Sequence, residues 1–141
     1  MNRIRTLTTL GTALAALLLT AAIARAEAPK GAVEKTLSSA FQAALAGDFD
    51  AYLKTIHPDE RANDTQKRDL ERFSWERFKR QAAWYLTDKD PATFEIVKRD
   101  ESGDDQVRVF VKDKEHGPRM PVPVRLKKTA DGEWLITANS L

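Results

Sequence analysis

The apolar residues of this chain repeat with two different periods, and the change between them happens once. Up to Leu86 they recur every three to four residues: Val33, Leu37, Ala40, Phe41, Ala44 and Leu45 mark one helical face, and Phe49, Tyr52, Leu53 and Ile56 mark another. Beyond Asp88 to Pro91 they alternate, through Phe94 and Ile96, then Val107, Val109 and Val111, then Met120, Val122, Val124 and Leu126, then Trp134, Ile136 and Ala138. A helical half followed by a stranded half excludes an alternating α/β fold and predicts an α+β fold, N-terminal helices packed on an antiparallel sheet of about four strands.

Local signals set the boundaries. Gly47 stops the first helix, Asp48 starts a second short one, and His57-Pro58 ends it, because the residue before a proline is pushed out of the helical region. Asn63 or Asp64 caps a third helix running to about Leu86, with Lys67/Glu71, Arg72/Glu76 and Glu76/Arg80 spaced for ion pairs on its exposed side. The connectors DESGDD, DKEHGP and KTADG carry hairpin-turn residues. Pro121 and Pro123, two residues apart, direct their missing N–H groups to one side of the third strand, so that side is unpaired there or overhangs its neighbour.

The first 26 residues read differently. Arg3 and Arg5 precede an apolar run from Leu10 to Ile23, followed by Ala24-Arg25-Ala26, which is the pattern of a secretory signal peptide cleaved before Glu27. Gly11, Thr12 and Thr20 interrupt the run, which is shorter than the ~20 apolar residues of a membrane span. The expectation is an exported protein, periplasmic or secreted, with no membrane anchor after cleavage, a flexible lead-in over residues 27–32 and one domain over residues 33–141. Three of the 23 basic residues leave with the leader while all 21 acidic ones stay, changing the net charge from +2 to −1. The precursor's basicity is thus an export feature and gives no argument for nucleic acid. The absence of cysteine excludes disulfides, thiolate metal sites and lipidation at an N-terminal cysteine.

Short helices, a long helix and then a meander of strands, with GDFDAYLKTIHP after the first helix and GEWLI in the last strand, resemble the nuclear transport factor two-like superfamily, whose members include ketosteroid isomerases and scytalone dehydratase. The resemblance spans nearly all of residues 33–141. It implies a cone-like arrangement, a curved sheet wrapped on the long helix around a pocket, and fold alone assigns that pocket no use.

The segment FSWERFKRQAAWYL, residues 73–86, holds five aromatic side chains, and a stripe of that breadth reads first as core. If a pocket opens between helix and sheet, Tyr52, Trp75, Trp84, Tyr85 and Trp134 are its expected rim. His57 beside Asp59 and Glu60 is the only candidate for general acid–base chemistry, and a capping or surface role is the commoner use of such a histidine. His116 falls in a turn. No metal site or cofactor is expected, since no second histidine or carboxylate cluster stands at ligand spacing. The strands' inward positions carry no acid or base, which counts against an isomerase or dehydratase. Their outward positions carry Arg108, Phe110 and Lys112, then Arg119, Arg125 and Lys127, with Glu95 and Glu133 as the acids. Three functions follow. The first is a non-enzymatic binding domain for a small apolar ligand or a protein partner. The second is a small isomerase, dehydratase or hydrolase using His57, and the third is a structural envelope component. A homodimer centred on Phe110, with Arg108 and Arg125 nearby, is expected if the outer sheet face is an interface.

Overall fold

The computed structural model describes residues 31–117 and 120–141. The leader assigned to residues 1–26 lies outside them, as does Arg119. Helix α1, Ala32–Ala46, buries Val33, Leu37, Ala40, Phe41 and Ala44 of the stripe its spacing marks, while Leu45, expected with them, is exposed and Ala43 is buried instead. Gly47 ends it at φ 68°, a left-handed conformation in which Gly47 N–H bonds back to Ala44 O and Asp48 N–H to Ala43 O. The Asp48 carboxylate accepts from Ala51 N–H at 2.9 Å and opens helix α2, Phe49–Lys54.

Asn63 caps the next helix reciprocally: its side chain accepts from Gln66 N–H, and Gln66 Oε1 accepts from Asn63 N–H. One helical rod then runs to Tyr85 with changing hydrogen bonding, as α3 (Asp64–Asp69), a π-helical turn (Leu70–Trp75), α4 (Glu76–Gln81) and a 3-10 turn (Ala82–Tyr85). The wider π turn shifts the phase of everything after it. Phe73, on the apolar stripe of a regular helix, is therefore 65% exposed, while Trp75 and Phe78 are buried. The rod's ion pairs among the described residues are i,i+3 contacts, Lys67 with Asp64 and Lys79 with Glu76, in place of the expected i,i+4 pairs.

Strands β1 (Ile96–Ser102), β2 (Gln106–Val111), β3 (Val122–Lys128) and β4 (Trp134–Asn139) form an antiparallel sheet in the order β1-β2-β3-β4, so the chain is an α+β fold. Among the described residues the sheet is open. β1 runs further than its alternation suggests: Asp100 and Glu101, expected in a turn, pair with Arg108 and Val107. Met120, expected to face inward, precedes β3 and is 87% exposed. Pro123 O accepts from Ser140 N–H, so the proline nitrogen also faces that side, just beyond the last β3–β4 pair, Val124 with Asn139. β3 begins beyond the last β3–β4 pair there, one of the two arrangements the prolines allow.

Two bulges break the alternation. Val97 is unmatched in β1 and exposed. Thr137 is unmatched in β4, between the pairs Leu126/Ile136 and Arg125/Ala138. An extra residue exchanges the two faces from that point on. Ala138, expected inward, is exposed opposite Arg125, and Asn139 turns inward opposite buried Val124.

The two sheet margins differ. Along β4, Ile136 accepts from His57 N–H and donates to Thr55 O, both at 2.8 Å, a parallel bridge that adds the segment after α2 to the sheet. On β1, Arg99 lies opposite inward-facing Val109 and ion-pairs with Glu34 of α1. Between helices and sheet the aromatic rings interlock. Ring centroids are 5.4 Å apart for Phe94–Phe41 and for Phe41–Phe78, 5.5 Å for Phe78–Tyr52 and 5.0 Å for Tyr52–Trp75. Phe41, Tyr52, Val109, Val111 and Val124 are wholly buried.

Phe41→Ala and Phe78→Ala are each expected to cost about 3 to 5 kcal/mol in urea denaturation, as buried aromatic truncations do. Phe73→Ala is expected to cost no more than about 0.5 kcal/mol, as a surface substitution does. A large loss at Phe73 would put the π turn in the wrong phase.

Candidate functional site

The inner face holds a polar arrangement at the end of β4. Asn139, turned inward by the Thr137 bulge, donates from Nδ2 to the Tyr52 hydroxyl at 3.0 Å. Arg77 donates from Nη2 to Asn139 O at 2.8 Å and from Nε to Leu141 O at 2.9 Å, tying the helical rod to the end of β4. Burial pushes the Tyr52 phenol up, opposed by the Asn139 hydrogen bond and the Arg77 charge. Asn139 Oδ1 is buried with no hydrogen-bond partner. Turning the amide over moves that deficit to the nitrogen without removing it. Alternation alone puts Ala138 in this place, and no residue in the sequence marks the bulge.

The expected pocket rim does not come together. Tyr52 and Trp75 touch, and Tyr85 is buried beside Phe41 at 6.4 Å. Trp84 lies at the end of the rod, edge-on to His116 at 4.1 Å, and Trp134 starts β4 beside Lys128. The space between helices and sheet that a rim needs is taken by the rings themselves.

His57 is 6% exposed. Its Nδ1 accepts from Asp59 N–H at 3.2 Å, capping the short helical turn Pro58–Arg61, and Nε2 is buried without a partner. The Asp59 carboxylate is exposed, 3.4 Å from His57 Nδ1 and bonded to Lys127 at 3.1 Å, so the expected His57/Asp59 pair does come together, and Glu60 is half-buried on the same turn. The histidine thus caps, as its position suggests, but from the interior. His116 is held with the β2–β3 connection by Asp113, whose Oδ1 accepts from the N–H groups of Glu115 and His116, both at 3.0 Å. Burial pushes the Asp113 carboxyl up, but those N–H groups and the His116 ring outweigh it and hold it below its ordinary value.

The outer sheet face is the densest gathering of charge. Arg108 on β2 sits directly opposite Arg125 on β3, and Gln106 opposite Lys127. Phe110 is clasped by the Lys98 amine at 5.2 Å and the Arg108 guanidinium at 5.4 Å from its ring centre. Asp100 bridges Lys98 at 3.0 Å and Arg108 at 3.3 Å. The hydrogen bond from Lys98, reinforced by both cations, holds its carboxyl below the ordinary value. Glu95 takes Lys112 at 3.4 Å. Five cations here meet three carboxylates, Asp100, Glu95 and Asp59, and among the described residues Arg125 has no acidic partner. The face is indented by a groove of about 560 Å³ lined by Asp100, Ser102, Arg108, Arg125, Lys127 and Thr137, with Glu101 at its hairpin end. Glu133, the other acid expected on this face, instead borders a groove of about 540 Å³ between α1, α2 and β4.

No family model matches the chain, and no curated protein or solved structure matches it. Among the described residues no helix is long and apolar enough to cross a membrane.

Tyr52→Phe is expected to cost about 1 to 3 kcal/mol, because the Asn139 amide stays buried and loses its one partner. Adding Asn139→Leu is expected to recover part of that loss, and a double mutant whose cost equals the sum of the two single costs would show the pair to be uncoupled. Asp113 titrates lower folded than unfolded, so its stabilisation is present above about pH 4 and is lost as the pH falls through the folded-state value. Wild type is therefore expected to exceed Asp113→Asn in urea stability at pH 7, and the gap to close as the pH falls through the folded-state value. An unchanged gap would remove the carboxylate charge from the account.

Proposed function

We propose that this chain is an exported binding domain without a catalytic centre of its own, working through the outer face of its sheet. The observation that carries this is the juxtaposition of Arg108 and Arg125 on adjacent central strands. Like charges directly opposite in an antiparallel pair are unfavourable, and Asp100 relieves only one of these two. A solvated face needs no such placement, whereas an anionic partner gains two neighbouring guanidinium groups that fit carboxylates in a planar, two-pronged geometry.

The filled interior supports the same reading. An apolar ligand between helices and sheet has to displace rings that already contact one another. Of the groups in the enzymatic alternative, His57 has one ring nitrogen in a cap and its other buried, and it lines neither of the two grooves above. The order of helices and meander is in keeping with the cone-type resemblance, with the sheet face rather than the cone interior as the working part. Export rests on the pattern of residues 1–26.

Native mass spectrometry of the protein purified from its own host compartment is the deciding experiment. The expected result is a bound partner that dissociates as salt is raised and that is lost in Arg125→Ala but kept in Tyr52→Phe. A small apolar molecule bound equally by wild type and Arg125→Ala would return the function to the interior. Loss of biological activity in His57→Ala at unchanged stability would instead favour the enzyme.

A further inference from the structure

The sheet face can be assigned an occupant from its charges and shape. A second copy of the chain is a poor match, because each copy brings the same cationic excess. Glu95, Asp59 and Asp100 are already bonded to Lys112, Lys127 and the Lys98/Arg108 pair, so face-to-face pairing sets one surplus against another. A lipid surface is met by inserted apolar groups, and the one aromatic of this face, Phe110, is held between Lys98 and Arg108. A phosphate polymer carries a charge at every unit and needs an unbroken run of cations, whereas here Asp100 stands between Lys98 and Arg108.

A protein segment fits each of these features. Arg125 and Lys127 are two residues apart on β3 and project on the same face, the spacing at which alternate side chains of an extended segment repeat. Ser102, Gln106 and Thr137 along the same groove supply hydroxyl and amide groups for the segment's backbone. Asp59 already forms such a contact within the chain, its exposed carboxylate on Lys127 at 3.1 Å. We infer that the groove across β2 and β3 receives an extended acidic segment of another protein, with carboxylates at alternate positions lying against Arg108, Arg125 and Lys127.

This rests on the sheet-face reading, and the test separates the two. Isotope-labelled protein expressed from the full chain is titrated with an eight-residue peptide of alternating Glu and Thr, with the matching Gln and Thr peptide, with inorganic polyphosphate and with phosphatidylglycerol vesicles. Backbone amide shifts are followed by NMR, and sedimentation is run in parallel. The Glu peptide is expected to shift the amides of Arg108, Arg125 and Lys127, the Gln peptide to leave them unmoved, and Arg125→Ala to weaken binding about tenfold. Arg125 is exposed, so this variant is expected to melt with the wild type, and Arg125→Lys is expected to restore binding only in part. Equal binding of the Glu peptide by wild type and Arg125→Ala overturns the inference. So does a dimer that Phe110→Ser dissolves, which makes a second copy the occupant. Shifts on this face from polyphosphate or vesicles but not from the Glu peptide overturn the inference and leave the sheet-face reading standing. No shift on this face from any probe, with a monomer in sedimentation, removes both.

Discussion

A chain of ring contacts running Phe94, Phe41, Phe78, Tyr52, Trp75 and Phe49 fixes how the two halves of this protein meet. These rings come from α1, α2, the helical rod and the residue pair ahead of β1, so none of these parts can move without opening a gap in the line. Interiors packed at this density lose contacts outright when a ring is removed. With no cysteine in the sequence, no disulfide assists this line in holding the two halves together. A core filled by its own side chains leaves the outside of the sheet as a chemically varied surface.

Much of this was legible from the residues. The change of period at Pro91 locates the division into helices and sheet, and Gly47, Asp48 and Asn63 take the capping roles their types suggest. The opposed phases of β2 separate buried Val107, Val109 and Val111 from outward Arg108, Phe110 and Lys112. What failed to transfer came from departures in backbone count. The π turn at Leu70–Trp75 carries Phe73 outward, and the bulge at Thr137 exchanges Ala138 for Asn139. Neither carries a glycine or proline to announce it, and both are set by tertiary packing that local pattern does not record.

The candidate site divides in the same way. Arg108, Phe110 and Arg125 were visible as outward residues because alternation needs only the strand, while their direct opposition needed the register. Asp100, which tempers the face, was hidden because β1 continues into what composition marks as a turn. The rim of Tyr52, Trp75, Trp84, Tyr85 and Trp134 rested on residue type without depth. Aromatic side chains suit both a pocket wall and a core, and only the contacts among them distinguish the two.

The two margins of the sheet bear on how this protein behaves when crowded. A bare strand edge is a template on which another chain can add its own strand, the first step of fibril growth. Here the β4 margin is taken by the backbone of Thr55 and His57, and β1 turns the charged Arg99, clasped to Glu34, toward the inner side. Strand addition is thereby discouraged at both ends. What stays open to other molecules is the broad side of the sheet, where like charges oppose the pairing of two copies.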